Sequence, residues 1–162
     1  REGKALYDLK AMPIDNTTIA SVKFFHAFLY CICSYVLISI LLVAAYLITG
    51  IQISLSDFII MLVEIAVVSC AISLVLIFTD MFIDTVNPKL LWEVPTAAFK
   101  QNVNALVAAF ITMGVVGIFA LLAYLLPKNS IGIIVIFAVF ALIAAPLGYF
   151  YFRYAAKKIT RM

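Results

Sequence analysis

The sequence is poor in charged residues: Asp, Glu, Lys and Arg make up 12% of its 162 residues, whereas hydrophobic residues make up 67%. In soluble domains about a quarter of the residues are charged and about half are apolar. This scarcity of charge, together with a mean hydropathy of +1.20, excludes a soluble globular protein, a disordered chain and a nucleic-acid-binding protein. The chain has three cysteines and no Cys-x-x-Cys pair, which excludes a disulfide framework and a thiol redox motif.

The sequence also lacks the short motifs of membrane enzymes and ATPases. It has no Gly-x-Ser-Gly, no His-Glu-x-x-His, no Walker motif, and no cluster of His, Cys and Asp with metal-ligand spacing. We therefore expect no catalytic residue, no bound metal and no cofactor, and we expect that the chain is not an enzyme. Because it begins Arg1-Glu2-Gly3 without a methionine or a signal peptide, we expect it to be part of a longer protein.

Long hydrophobic runs are the dominant feature of the sequence. Four stretches contain no Asp, Lys or Arg, and each exceeds the roughly 20 residues that a helix needs to cross the hydrocarbon core of a bilayer. They cover residues 24–49, 58–79, 103–126 and 129–152. The sequence therefore predicts an all-α fold: an integral membrane helical bundle of four transmembrane helices, preceded by a short amphipathic cytoplasmic helix. The predicted helices of this single transmembrane domain, residues 1–162, cover 1–14, 15–50, 56–86, 95–126 and 130–158.

Several residues predict where the helices begin, end and bend. Asp15 and the polar residues after it offer an N-cap for the first transmembrane helix, and Gly50 ends that helix. Ser54 and Asp57 have the spacing of a capping box before the second helix, with Asp in place of Glu or Gln. Pro146 removes one backbone hydrogen bond within the fourth run, so we expect a kink there.

Small residues predict where helices could approach each other closely. On the fourth helix they are Ala138, Ala141, Ala145 and Gly148, and on the third they are Ala105, Ala109, Gly114 and Gly117.

The basic residues predict how the helices are oriented in the membrane. Ten of the eleven fall before the first hydrophobic run, between the second and third runs, or after the fourth. Only Lys128 lies in either of the other two loops. Basic residues are retained on the cytoplasmic side. Both ends of the chain and the middle loop are therefore predicted to be cytoplasmic.

Residues 1–14 predict a short amphipathic helix that ends at Pro13. Its apolar positions include Leu6, Leu9 and Met12, and its polar positions include Glu2, Lys4 and Lys10. Such a helix could be a membrane-surface anchor. It could instead be a docking helix for another protein, joined by the proline to the first transmembrane helix.

The order of residues in this segment favours docking. Arg1-Glu2-Gly3-Lys4, then Leu9-Lys10-Ala11-Met12-Pro13-Ile14, then Lys23 resemble the intracellular coupling segment of ABC-2 type transporter permeases. The middle loop, with Asn87-Pro88-Lys89-Leu90 and Trp92, looks like that of the larger permeases of bacterial ABC exporters.

The resemblance implies a membrane permease portion of an ATP-driven exporter in the bacterial cytoplasmic membrane. A permease of this type has six spans per repeat, so the four spans here would be the third to the sixth. The implied partners are an ABC ATPase subunit that binds ATP, a second permease repeat or protomer, and the lipid bilayer. The implied ATPase-coupling residues are Glu2, Gly3, Lys4, Leu6, Leu9, Lys10, Met12 and Pro13.

Polar residues within the hydrophobic runs are a second group of candidates. They are Glu64, Ser73, Asp80 and Asp84. Ser69, Ser73, Asp80 and Asp84 share one face of the second helix, and Glu64 lies on the opposite side. We expect Lys89 or Lys100 to be a local partner of the two aspartates.

Glu64 has two interpretations. A carboxylate at a helix centre costs about 2.5–3.5 kcal/mol on insertion scales, so such a residue is a functional candidate by default. It could bind a proton, a cation or a cationic substrate. It could also make a structural hydrogen bond between helices or reach toward the outer surface. An alternative to the exporter is therefore a stand-alone four-span, ion-coupled small-molecule transporter that uses Glu64, or an integral membrane protein of other function.

Overall fold

The computed structural model of the chain describes residues 15–50, 53–86, 103–127 and 129–159. Within these residues it contains four helices and no strand, so the predicted all-α membrane bundle is confirmed. The helices are α1 (Asn16–Thr49), α2 (Leu55–Val86), α3 (Val103–Leu125) and α4 (Ser130–Ile159). The predicted coupling helix, residues 1–14, lies outside the described residues, and so do residues 95–102 of the third predicted helix.

Each helix is long and apolar enough to cross a membrane, with a mean hydropathy of 2.6 to 2.7 over its most apolar stretch. Helices suit this environment because all their backbone hydrogen bonds can form within one segment. At 1.5 Å per residue, the 34 residues of α1 span about 51 Å. The hydrocarbon core is only about 30 Å thick. Helix α1 is therefore long enough to continue beyond the core as one rigid element.

The helix ends follow the local signals in the sequence. Gly50 ends α1 in the left-handed conformation, with φ of 59°, which glycine adopts at little cost. The Ser54 hydroxyl accepts a hydrogen bond from the Asp57 amide (3.2 Å) and donates one to the Asp57 carboxylate (2.6 Å). The predicted cap of α2 is confirmed, but the carboxylate binds the Ser54 hydroxyl rather than the Ser54 backbone amide that a full capping box would use.

The turn between α3 and α4 is built around Asn129. Its side-chain oxygen accepts a hydrogen bond from the Gly132 amide at 3.1 Å and so caps the start of α4. Gly132 is buried, and a Cβ atom there would overlap the carbonyl oxygen of Pro127. Only glycine therefore fits at position 132, the third residue of α4.

The chain direction alternates from helix to helix, which gives the bundle two distinct ends. We call one the basic end: it contains the start of α1, the end of α2, the start of α3 and the end of α4. We call the other the short-loop end: it contains the connections between α1 and α2 and between α3 and α4. Helices α2 and α4 share the most extensive interface, while α1 and α3 pack against this pair.

The core of the bundle lies between α2, α3 and α4. Phe140 of α4 is 1% exposed and is the largest fully buried side chain of the described residues. It is clustered with Ala71 and Val75 of α2 and Val115 of α3. These contacts hold the three helices together by close packing, which is the main attraction available between helices in lipid.

The small residues are buried at only some of the predicted positions. Gly148 packs against Phe78, whose ring atoms would lie 2.9 Å from a Cβ at this glycine. Ala138 and Ala145 are exposed, and Gly114 and Gly117 of α3 face open space. Pro146 lies within α4, which continues past it to Ile159, and the kink remains a prediction.

Candidate functional site

At the basic end, aromatic rings join three helices. Phe24 of α1 stacks on Phe78 of α2, with ring centroids 4.9 Å apart and an interplanar angle of 7°. Phe152 of α4 makes edge contacts with both rings at 6.1 Å. Phe28 and Tyr151 extend the group. We call these five residues the aromatic cluster.

The first turns of α1 are packed directly against α4 beside this cluster. Ala20 is 1% exposed, and Tyr151 is 3% exposed. The Tyr151 hydroxyl donates a hydrogen bond to the backbone carbonyl of Ala20 at 3.4 Å. Gly148 lies one turn before Tyr151 on α4 and leaves room for the Phe78 ring of α2. Helices α1, α2 and α4 therefore approach each other closely here. The start of α1 is therefore in direct contact with both α2 and α4.

The two aspartates of α2 lie at the same end. The Asn104 amide of α3 donates a hydrogen bond to the Asp84 carboxylate at 3.1 Å. Asn104 is buried at 6% exposure, whereas Asp80 and Asp84 are exposed. The partners expected for these aspartates, Lys89 and Lys100, lie outside the described residues. Asn104 is a partner that the sequence analysis missed.

Glu64 lies toward the short-loop end and contacts the start of α4. The Ser130 hydroxyl donates a hydrogen bond to Glu64 Oε1 at 2.8 Å. The carboxylate is partly buried, and Ser130 is at the first position of α4. The structural alternative for Glu64, a hydrogen bond between helices, is therefore present in the bundle.

Glu64 also lines a cavity between α2, α3 and α4. The cavity has a volume of ≈ 400 Å³, and its wall is almost entirely apolar. Phe119 of α3 and Ile136 of α4 form part of this wall, and Ser69 of α2 contributes a hydroxyl. Cavities of roughly 300–1,000 Å³ with a few placed polar groups are typical of small-molecule sites. Glu64 therefore has a ligand-sized space beside it as well as a structural partner.

The structure separates the predicted intramembrane residues into two groups. Glu64 lines the cavity, whereas Ser73, Asp80 and Asp84 do not. Ser69 joins Glu64 at the cavity even though the two residues lie far apart around α2. The predicted coupling residues, all within residues 1–14, lie outside the described part of the chain.

Ser130 was not among the predicted site residues. It is the first residue of the helix predicted over 130–158, and nothing in its local sequence indicates contact with a residue 66 positions earlier. The one available signal is general: a carboxylate in a membrane span needs a polar partner on a neighbouring helix. Ser130 is the polar residue at the start of the adjacent helix.

The cysteines and the histidine are not part of this site. Cys31, Cys33 and Cys70 are all free. The ring of His26 contacts that of Tyr30 one turn later in an edge arrangement, with centroids 5.0 Å apart. Among the described residues, no three His, Cys, Asp or Glu side chains are grouped closely enough to hold a metal ion.

Comparison with known proteins adds no relative to these observations: no protein-family model, no curated protein and no solved structure matches the chain.

Proposed function

We propose that this chain is a membrane permease portion of an ATP-driven exporter of the ABC type. In this proposal a separate ATPase subunit or domain hydrolyses ATP, and the chain itself is not an enzyme. A second permease repeat or protomer completes the translocation path. The basic end faces the cytoplasm of a bacterial cell, and the substrate is exported across the plasma membrane.

One observation carries the proposal beyond the sequence resemblance. Helix α1 begins at Asn16, directly after the coupling-like segment 1–14, and its first turns are fixed to α2 and α4 through Tyr151 and the aromatic cluster. A soluble ATPase can drive membrane helices only through a rigid element that it touches outside the membrane. The docking helix predicted at residues 1–14, followed by a 34-residue helix whose first turns are packed against α2 and α4, would meet that requirement.

Disrupting the docking face tests the proposal. Three separate variants are Leu6→Asp, charge reversal at Glu2 and charge reversal at Lys4. Each should abolish co-purification of the ATPase and its coupled activity while membrane insertion stays normal. Lys128→Glu is the matched control, since it reverses a charge in a loop predicted to lie on the opposite side of the membrane. Retention of the ATPase by all three docking variants would refute the proposal.

A second candidate is a stand-alone transporter that couples transport to ion movement through Glu64. The observation that favours it is the position of Glu64 on the wall of a cavity rather than only in a helix interface. This candidate does not require an ATPase or a docking segment.

Proton movement distinguishes the second candidate from the first. In proteoliposomes under an imposed pH gradient, Glu64→Gln should abolish proton flux if the carboxylate carries the coupled proton. Asp57→Asn on the same helix is the control, because the Asp57 carboxylate accepts a hydrogen bond from Ser54 outside the cavity and Asn keeps an acceptor. Proton flux that is equal in the wild type and in Glu64→Gln would eliminate this candidate.

A further inference from the structure

The cavity beside Glu64 is lined by two polar residues of α2, Glu64 and Ser69, and by otherwise apolar residues. Glu64 lies toward the short-loop end of the cavity. Its carboxylate accepts a hydrogen bond from Ser130, which is not itself a lining residue. Val68 and Ile72 follow Glu64 along the same helix and line the cavity toward the middle of the bundle. From Glu64 to Ile72 the distance along α2 is about 12 Å, at 1.5 Å per residue.

The apolar part of the wall comes from all three helices. Val68 and Ile72 of α2, Phe119 of α3 and Ile136 of α4 face the same space. A hydrocarbon chain in this space would make close packing contacts with these side chains, which is the main attraction available within lipid. The cavity therefore favours a ligand with a narrow hydrocarbon portion.

The Glu64 carboxylate selects the charge of the ligand. A carboxylate repels a sulfate, a phosphate or a second carboxylate, and this repulsion is strong where the surroundings are apolar. A cationic group next to Glu64 would be attracted for the same reason, while the Ser130 hydroxyl still donates to Oε1. The volume of ≈ 400 Å³ suits one chain and is small for a diacyl lipid.

We infer that this cavity binds a single-chain cationic amphiphile, with its ammonium group against Glu64 and its hydrocarbon chain directed toward Ile72. The inference deepens the second candidate function, because it uses the same carboxylate and names a ligand class for it. Binding itself requires neither an ATPase nor an ion gradient. The two proposals can therefore fail separately.

A series of ligands with one chain and three head groups tests the inference. Radiolabelled decyltrimethylammonium, decanol and decyl sulfate are bound to the purified protein in nanodiscs of zwitterionic lipid, and binding to empty nanodiscs is subtracted. The wild type should bind the cation at least tenfold more tightly than decanol and should bind decyl sulfate most weakly.

Two variants assign this preference to the cavity. Glu64→Gln, which keeps the shape of the side chain, should weaken cation binding at least tenfold and leave decanol binding within twofold. Ala123→Phe places a ring in the cavity and should weaken the cation and decanol together. Val68→Phe serves the same purpose if Ala123→Phe does not fold. Asp57→Asn should change neither affinity.

Three results would overturn the inference: equal affinity for the cation and decyl sulfate, unchanged cation binding in Glu64→Gln, or unchanged binding in both cavity-filling variants. If cation binding fails while Glu64→Gln still abolishes proton flux, the second candidate function survives and only the ligand assignment is wrong.

Discussion

The two ends of the bundle are built differently. At the basic end, the rings of Phe24, Phe78 and Phe152 fill the space between α1, α2 and α4. At the short-loop end, α2, α3 and α4 leave a cavity of ≈ 400 Å³ with Glu64 on its wall. One end is packed through large apolar side chains, and the other contains unfilled space and an intramembrane carboxylate.

If the chain is a transporter, as proposed, this difference assigns different roles to the two ends. A packed end transmits displacement, because interiors at high density respond to movement as rigid bodies rather than by local deformation. An end with a cavity can bind a ligand, but it transmits force less directly. The exporter proposal places the ATPase contact at the packed end, and the second candidate function places its ligand site at the other.

The comparison requires a rigid core that connects the two ends, and Phe140 is its largest fully buried side chain. Phe140→Ala should lower the free energy of unfolding by about 3–5 kcal/mol, because it removes packing and leaves a cavity. Phe150→Ala on the same helix is the control, since Phe150 is 58% exposed. Unfolding in mixed detergent micelles measures both variants. Equal losses would mean that Phe140 does not hold the core together.

Close approach of α2 and α4 at the basic end depends on Gly148. In Gly148→Leu the new side chain would displace Phe78 and disrupt the aromatic cluster, at a cost of about 1–3 kcal/mol. Gly117→Leu on α3 meets open space and should cost much less. The same micelle titration measures the pair. If Gly117→Leu is the more destabilising variant, the packed end has been assigned wrongly.

The short-loop end should be less sensitive to substitution. Ser54→Ala removes the hydroxyl that caps α2 and should cost about 1 kcal/mol. Ser56→Ala is the control, because it removes only the hydroxyl that contacts Ser54 Oγ at 2.9 Å and leaves the Asp57 amide bonded to Ser54. If Ser54→Ala lowers the free energy of unfolding more than Gly148→Leu does, the short-loop end is the more sensitive end and the comparison is wrong.

The smallest effect should come from a hydrogen bond in the span between the ends. The Tyr35 hydroxyl donates to the Leu62 carbonyl at 2.9 Å and links α1 to α2. Tyr35→Phe should cost about 0.6 kcal/mol, which is the average for such bonds between membrane helices. Tyr124→Phe is the control, because Tyr124 is 83% exposed. A cost of several kcal/mol would show that α1 depends on this bond rather than on the aromatic cluster.

The fold could be predicted from the sequence because each helix is specified locally. Helices predicted at 15–50, 56–86 and 130–158 are observed at Asn16–Thr49, Leu55–Val86 and Ser130–Ile159. The cap at Ser54 and the end at Gly50 were also predicted. Such signals depend on residues within a few positions of each other.

The contacts between helices could not be predicted in the same way. The periodicity of α2 places Glu64 on one face of that helix but does not identify the helix that it meets, so Ser130 was missed. Asn104 was missed as the partner of Asp84 for the same reason. The small-residue pattern on α4 included exposed Ala138 and Ala145 beside buried Gly148, since composition alone does not identify the packed face.

A photo-crosslinking measurement tests the central proposal most directly. A photoreactive amino acid at Leu6 or Leu9, in the protein expressed in its native cell membrane, should form a covalent adduct with a nucleotide-hydrolysing protein on the cytoplasmic side. Adducts with lipid alone, or labelling of these positions from outside the cell, would contradict the exporter proposal.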